Sequence, residues 1–344
     1  MIVVLKKESG KKNIDEFLES LKKRGFGIHI SEGVDKTIVG LLGDTSKIDP
    51  EELLANDAVE SAERVSAPYK MASRAFHPEN TIVVVGEGQD GVTPCAIGDG
   101  KSVPLIAGPC SVENEQQLLD AARAVKKAGA RLLRGGAYKP RTSPYSFQGL
   151  GPEGIRILEL AKKETGLPIC TELMSTSELK YFDNVDMIQI GARNFQNFDL
   201  LKEVGKTKKA VLLKRGLSGT IQELLMSAEY IMANGNPNVI LCERGIRTYD
   251  SYTRNCLDVS AVPYLHKVSH LPVVIDPSHA CGIRWMVPVL CQTAVAAGAD
   301  GLEIEVHCNP EKALSDASQQ LTPSQFEETV AKLRKYAAVE GKTI

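Results

Sequence analysis

Leu271-Pro272-Val273-Val274-Ile275-Asp276-Pro277-Ser278-His279 is followed, one helical interval later, by Gly301-Leu302-Glu303-Ile304-Glu305-Val306-His307. Each stretch is a short apolar run that stops at carboxylates and an imidazole. A buried parallel strand reads as a continuous hydrophobic run, and polar groups gather where its C-terminal end meets solvent. Working outward, six more runs have this form: 103–107 before Cys110, 130–133 before Arg134, 167–170 before Glu172, 185–190 before Arg193, 210–213 before Lys214, and 239–242 before Glu243 and Arg244. Segments with helical spacing lie between them, including 115–127, 153–163, 218–233 and 284–297. Strand–helix units repeated over about 230 residues match the ~250 typical of a (β/α)8 TIM barrel, whose catalytic groups come from the C-terminal strand ends. The expectation is an α/β chain with a catalytic barrel at 103–344.

Residues 1–65 read differently. A strand (2–5), an amphipathic helix (14–23, apolar at Ile14, Phe17, Leu18 and Leu21), strands 26–30 and 37–42, a short helix (50–54) and a strand (59–65) give β-α-β-β-α-β. This is the ferredoxin-like order, a small sandwich that serves packing, oligomerisation or ligand binding equally well. Residues 66–102 supply a linker with Pro68 and Pro78, then a hairpin (82–85 and 92–97) expected to plug the barrel floor. Gly86-Glu87-Gly88-Gln89-Asp90-Gly91 matches the dinucleotide fingerprint G-x-G-x-x-G. However, Val92-Thr93-Pro94 cannot open the helix whose N-terminus would bind pyrophosphate, so the segment is read as a glycine-rich turn.

The chain has 344 residues, and its 43% hydrophobic content is enough for a barrel core plus a small second domain. A net charge of −2 gives no electrostatic case for nucleic acid. No run approaches the ~18–20 apolar residues that span a bilayer, and residues 1–5 lead straight into Lys6-Lys7-Glu8. A soluble cytoplasmic protein without membrane attachment is expected. The eight cysteines form no C-x-x-C pair and are read mostly as reduced core residues.

Cys110, His279, Glu305 and Asp316 follow predicted strands 1, 7 and 8, which closure of a barrel makes neighbours. Singly, each is weak: a lone cysteine is usually core and a lone histidine usually a satisfied polar group. Together, one thiolate, one imidazole and two carboxylates suit a divalent zinc, iron, manganese or cobalt ion. A second set is cationic: Arg134, Lys139, Arg141, Arg193, Lys214 and Arg244, with Arg247 a further candidate. Around an empty pocket these would repel one another, so they call for anions, either two phosphorylated ligands or a phosphate and a carboxylate. Lys214, late in a barrel strand, also fits a Schiff-base role.

The most specific motifs are Ala107-Gly108-Pro109-Cys110-Ser111-Val112-Glu113, Arg134-Gly135-Gly136-Ala137-Tyr138-Lys139-Pro140-Arg141-Thr142-Ser143, Ile190-Gly191-Ala192-Arg193-Asn194, Leu213-Lys214-Arg215-Gly216, Cys242-Glu243-Arg244-Gly245 and Asp276-Pro277-Ser278-His279. Over about residues 80–335 they resemble the 3-deoxy-D-arabino-heptulosonate 7-phosphate (DAHP) synthase family, in its compact barrel form with an N-terminal ferredoxin-like regulatory domain. The resemblance implies a transferase that condenses phosphoenolpyruvate with erythrose 4-phosphate, releases phosphate, requires a divalent metal and opens the shikimate pathway to aromatic amino acids. It implies metal ligands Cys110, His279, Glu305 and Asp316. It sets phosphoenolpyruvate against Arg134, Lys139, the backbone of Ala192, Arg193, Lys214 and Arg244, and the sugar phosphate against Pro140, Arg141 and Thr142. Lys139, Glu172 and His279 become the catalytic groups, with Glu172 positioning the attacking water and Lys139 a donor to the forming alkoxide.

The same resemblance implies a homotetramer. It further suggests that residues 1–65 bind tyrosine or phenylalanine and thereby cover the barrel mouth. The sister family, 3-deoxy-D-manno-octulosonate 8-phosphate synthase, uses arabinose 5-phosphate. Its motif looks like Lys-Ala-Asn-Arg-Ser-Ser where this chain has Lys139-Pro140-Arg141-Thr142-Ser143, which favours the four-carbon sugar.

Overall fold

A computed structural model describes residues 1–6, 9–33, 36–45, 48–64 and 68–344, and divides them into two compact units, Met1–Asn80 with Lys267–His270, and Thr81–His266 with Leu271–Ile344. In the first unit, strands β1 (Ile2–Leu5), β2 (Gly27–Glu32), β3 (Thr37–Leu42) and β4 (Val59–Glu63) form an antiparallel sheet in the order β2-β3-β1-β4. With helices Lys11–Lys23 and Pro50–Leu54, this is the ferredoxin-like arrangement expected from the sequence. Alternation puts Val3, Leu5, Val39, Leu41 and Val59 on the helix side, where Phe17, Leu18, Leu21 and Leu53 meet them. The last strand was expected to run to 65. Val65, like Ser66 and Ala67 of the expected linker, lies outside the described residues.

The second unit opens with an antiparallel hairpin, β5 (Val83–Val85) and β6 (Cys95–Ile97), joined by the glycine-rich turn. Eight parallel strands then close a barrel: β7 (Leu105–Gly108), β8 (Leu132–Arg134), β9 (Ile169–Glu172), β10 (Met187–Ile190), β11 (Ala210–Lys214), β12 (Val239–Glu243), β13 (Val273–Ile275) and β14 (Gly301–Glu305). β14 pairs with β7, so the last strand neighbours the first.

Five strands begin later than their apolar runs, and in three of them proline explains it. Pro104, Pro168 and Pro272 lack the N–H a ladder needs, so each only accepts, from Leu302, Leu133 and Leu241 respectively, before its strand starts. Helices also start where their caps dictate. The segment expected from 218 begins at Ile221, because Thr220 and Glu223 form a capping box. Between β9 and β10 the crossover is the 3-10 turn Thr176–Tyr181, a departure from regular alternation.

Inside the barrel, Ile106, Leu132, Cys170, Met187, Leu212, Ile240, Cys242 and Val274 share one apolar cluster with Val83, Val85, Cys95 and Ile97 of the hairpin. The hairpin therefore seals the floor, as its sequence position suggested.

Candidate active site at the C-terminal rim of the barrel

Side chains two residues apart on a strand point the same way. One such step above the apolar floor the chemistry changes: Leu132 gives way to Arg134, Cys170 to Glu172, Met187 to Gln189, Leu212 to Lys214 and Val274 to Asp276, all buried. Arg134 Nη1 donates to Glu305 Oε1 at 2.8 Å, and its Nε lies 3.4 Å from Glu303 Oε1. Lys214 Nζ donates to Asp276 Oδ2 at 2.6 Å and to Glu303 Oε1 at 2.7 Å. Burial alone would favour a neutral Lys214, but these two carboxylates outweigh it and raise its pKa above the ordinary lysine value. The expectation of mutually repelling cations is corrected here, because the chain itself supplies carboxylates to the innermost of them. Arg247 is exposed and does not line the cavity described below.

The four expected metal ligands converge. Cys110 Sγ, a ring nitrogen of His279 and one oxygen each of Glu305 and Asp316 lie within 4.8 Å of one another. His279 Nδ1 is committed to Asp276 Oδ2 at 2.6 Å, which leaves Nε2 toward the cluster, 3.1 Å from Glu305 Oε1. A carboxylate that orients a histidine in this way is usual behind metal-binding imidazoles. Burial disfavours the imidazolium, yet Asp276 and Glu305 outweigh it and raise the pKa to about 10. The field at Nε2 thus favours a cation, and the sulfur, nitrogen and oxygen donors suit a borderline divalent ion, so the residues fit the implied metal. Asp276, His279 and Glu303 also converge, but the Lys214 ammonium already occupies both of those carboxylates.

Asp316 is the one non-glycine residue with positive φ among the described residues, at 48°. Aspartate tolerates this left-handed backbone better than most side chains, and the surrounding contacts also fix it. Here Leu314 N donates to Glu113 Oε1 at 2.8 Å, Ser315 Oγ and Ser111 Oγ are 2.7 Å apart, and Cys110 N donates to Gln320 Oε1 at 3.0 Å. The loop carrying Asp316 is thereby tied to the loop carrying Cys110.

Beside this cluster lies an open cavity of about 310 Å³. Arg134, Lys139, Pro140, Arg141, Thr142, Glu172, Ala192, Arg193, Lys214, Arg244, His279 and Asp316 of the expected set all line it. Two buried atoms of the lining have no hydrogen-bond partner, Arg244 Nη1 and Glu172 Oε1. Gln189 Nε2 holds the other Glu172 oxygen at 3.1 Å. At Gly191 a Cβ would sit 2.0 Å from Glu172 Oε1, so any larger residue there would displace this carboxylate.

Residues 80–339 match the model of the DAHP synthetase I family, and residues 1–67 match that of the DAHP synthase ferredoxin-like domain. This chain belongs to the DAHP synthetase I family. A phospho-2-dehydro-3-deoxyheptonate aldolase of Thermotoga maritima is 47% identical over 342 residues, 99% of each chain. A 2-dehydro-3-deoxyphosphooctonate aldolase of Caulobacter vibrioides is 33% identical over 267 residues, 72% of this chain and 91% of the relative. The crystal structure of the Thermotoga maritima DAHP synthase superposes with a TM-score of 0.78 at 46% identity, covering 99% of this chain and 98% of that one. A truncated form of the Thermotoga maritima synthase gives 0.72 at 45% identity over 79% of this chain and 98% of its own. The family read from the motifs and the barrel behind a ferredoxin-like domain are both found, and membership of the DAHP synthetase I family makes the chain an enzyme.

Four residues of the site escaped the sequence reading. Glu303 was counted into an apolar run, although its two-residue spacing from Glu305 marks a second lumen-facing carboxylate. Gln189, inside the 185–190 run, carried the same kind of signal. Gln319 Nε2 donates to Glu305 Oε2 at 2.7 Å, and Arg254 lines the cavity and donates to Asp316 Oδ2 at 3.1 Å. Both reach the site from loops and carry no periodicity that could mark them.

Proposed function

We propose that this member of the DAHP synthetase I family condenses phosphoenolpyruvate with erythrose 4-phosphate, releasing phosphate and forming 3-deoxy-D-arabino-heptulosonate 7-phosphate, the entry step to aromatic amino acids. The observation that carries the reading is the cavity whose buried guanidinium, Arg244, has an unpartnered Nη1 beside the four-ligand cluster. A buried donor without a partner is costly, and an anionic oxygen is what relieves it.

In this reading phosphoenolpyruvate is held by Arg134, Lys139, the Ala192 backbone, Arg193, Lys214 and Arg244, and the sugar phosphate by Arg141 and Thr142 beside Pro140. Fixing two phosphorylated substrates in register supplies much of the acceleration. Glu172 Oε1 accepts a hydrogen bond from the water that adds at C2, while Gln189 keeps the carboxylate turned toward it. Lys139 Nζ, 3.0 Å from Cys110 Sγ and 3.0 Å from the Cys110 carbonyl, is set to give a proton to the alkoxide formed as C3 attacks the aldehyde. A manganese, iron, zinc or cobalt ion on Cys110, His279, Glu305 and Asp316 would supply Lewis acidity toward the aldehyde oxygen. The Schiff-base reading of Lys214 is disfavoured, because an ammonium held between Asp276 and Glu303 is not the neutral amine such chemistry needs.

The decisive assay is phosphoenolpyruvate consumption by manganese-loaded protein with erythrose 4-phosphate and, separately, arabinose 5-phosphate, each repeated after chelation. Chelator-sensitive turnover with the four-carbon sugar is expected. Turnover with arabinose 5-phosphate alone would move the assignment to the octulosonate synthase, and borohydride trapping on Lys214 would move it to a Schiff-base aldolase.

Residues 1–65 we assign a regulatory role, binding tyrosine or phenylalanine within a homotetramer, since the ferredoxin-like domain carries none of the expected catalytic or substrate-binding residues. Deleting them should leave turnover and remove inhibition, and light scattering should give the tetramer mass. Indifference of the full chain to both amino acids would reject the effector. Both substrates carry phosphates that do not cross bilayers unaided, so we assign the reaction to the cytoplasm. No helix among the described residues is long and apolar enough to span a membrane.

A further inference from the structure

Glu303 lies in the middle of β14 with no exposed surface. Its Oε1 is 2.7 Å from Lys214 Nζ and 3.4 Å from Arg134 Nε, and its Oε2 is buried without a hydrogen-bond partner. Each of these cations also meets a second carboxylate, and both of those carboxylates also face His279. Lys214 already has Asp276 at 2.6 Å, and Arg134 has Glu305 at 2.8 Å. Glu303 is therefore a further negative charge set on Lys214 and Arg134 beneath a cavity built to take anions. Burying it is expensive, and an apolar side chain of similar size would fill the space at lower cost.

This charge has two effects on the cavity. It takes one of the three ammonium protons of Lys214, while Asp276 takes another, so a single N–H direction remains for a ligand. It also opposes any anion arriving at Lys214 and Arg134, in a low-dielectric interior where such opposition is felt strongly. Binding substrate more tightly in the ground state does not raise turnover once the site is filled. A site with this many cations gains from a fixed charge that keeps its anions exchangeable.

We propose that Glu303 is a positioning residue that competes with the bound anion for Lys214 and Arg134, holding down the affinity for phosphoenolpyruvate and speeding departure of anionic product. The inference rests on the proposed function for the identity of that anion. The test uses the full-length Glu303→Gln and Glu303→Met variants, titrated by calorimetry with phosphoenolpyruvate and separately with inorganic phosphate, together with steady-state kinetics. Both ligands should bind about tenfold more tightly to each variant, with KM for phosphoenolpyruvate falling and kcat falling with it as release slows. A purely structural role does not tighten binding, so unchanged or weaker binding in both variants overturns the proposal. Should neither variant fold, Glu303→Asp draws the charge back from Lys214 by one methylene. It is expected to tighten binding to a smaller degree, and weaker binding there overturns the proposal equally. Tighter phosphate binding in a protein that turns over neither sugar would uphold the charge competition and reject the synthase reading.

Discussion

At the floor of the lumen, Leu132, Cys170, Leu212 and Val274 pack on hairpin residues such as Val83 and Ile97. Two residues further along the same strands, Arg134, Glu172, Lys214 and Asp276 form a charged rim. The floor needs only apolar volume, so its members are interchangeable within limits of size. The rim needs particular charges at particular distances, and its buried ions are paid for by the packing below. Strand geometry delivers both with one set of eight staves, because the step from floor to rim is a single alternation.

The largest break between the two ends should come from Arg244→Ala. Truncating a buried charged contact costs ~2–5 kcal/mol of ligand binding, so kcat/KM for phosphoenolpyruvate should fall about 30-fold or more. Thermal stability should hold or rise, since a buried guanidinium with an unpartnered Nη1 is removed. Loss of stability with intact kinetics would place Arg244 among the structural residues. Arg134→Met comes next: it takes one cation from Glu303 and Glu305, leaving them Lys214 and His279, a loss of ~3–5 kcal/mol in chemical denaturation together with loss of turnover. Leu132→Ala, one alternation below, should cost ~2–5 kcal/mol and leave kcat per folded molecule near the parent value. A kinetic defect there as large as that of Arg134→Met would erase the distinction between floor and rim.

The smallest effect is chemical. Burial pushes the Cys95 thiol up to about 12 and raises the thiols of Cys170 and Cys242 as well. A raised thiol pKa leaves almost no thiolate at pH 8, and the thiolate is the reactive form. These three should stay unlabelled by a thiol reagent until the protein unfolds, while the exposed Cys256 reacts in the native state and Cys308, exposed but with a thiol raised by partial burial, follows more slowly. Native-state labelling of Cys170 would mean that the floor is open.

The floor and most of the rim were legible because both follow a period of two and end at a chemically conspicuous residue. Arg134, Glu172, Lys214 and Glu305 each close their strand, and each could be named from its run alone. Glu303 was not legible in that way, since one carboxylate inside an apolar run looks like an interruption until its lumen-facing register is known. Arg254 was hidden for a different reason: a loop residue reaches its partner through tertiary placement, which no local pattern encodes. The charge balance of the rim was misjudged for the same cause, because whether Lys214 is free or held depends on Asp276 and Glu303, 62 and 89 residues away.

The joint between β14 and β7 has a consequence for how the protein is made. Cys110 and Asp316 stand 206 residues apart in sequence, one beyond the first barrel strand and the other beyond the last. A growing chain that lacks β14 has neither Glu305 nor Asp316, and its Cys110 and His279 cannot grip a divalent ion alone. On the proposed ligand set, capture of an ion would therefore be a late event of biosynthesis, open only to a chain whose ring of strands has closed. An ion held on the four proposed ligands would fasten the two ends of that ring like a clasp, and an unfinished barrel would leave the cell's metal where it is.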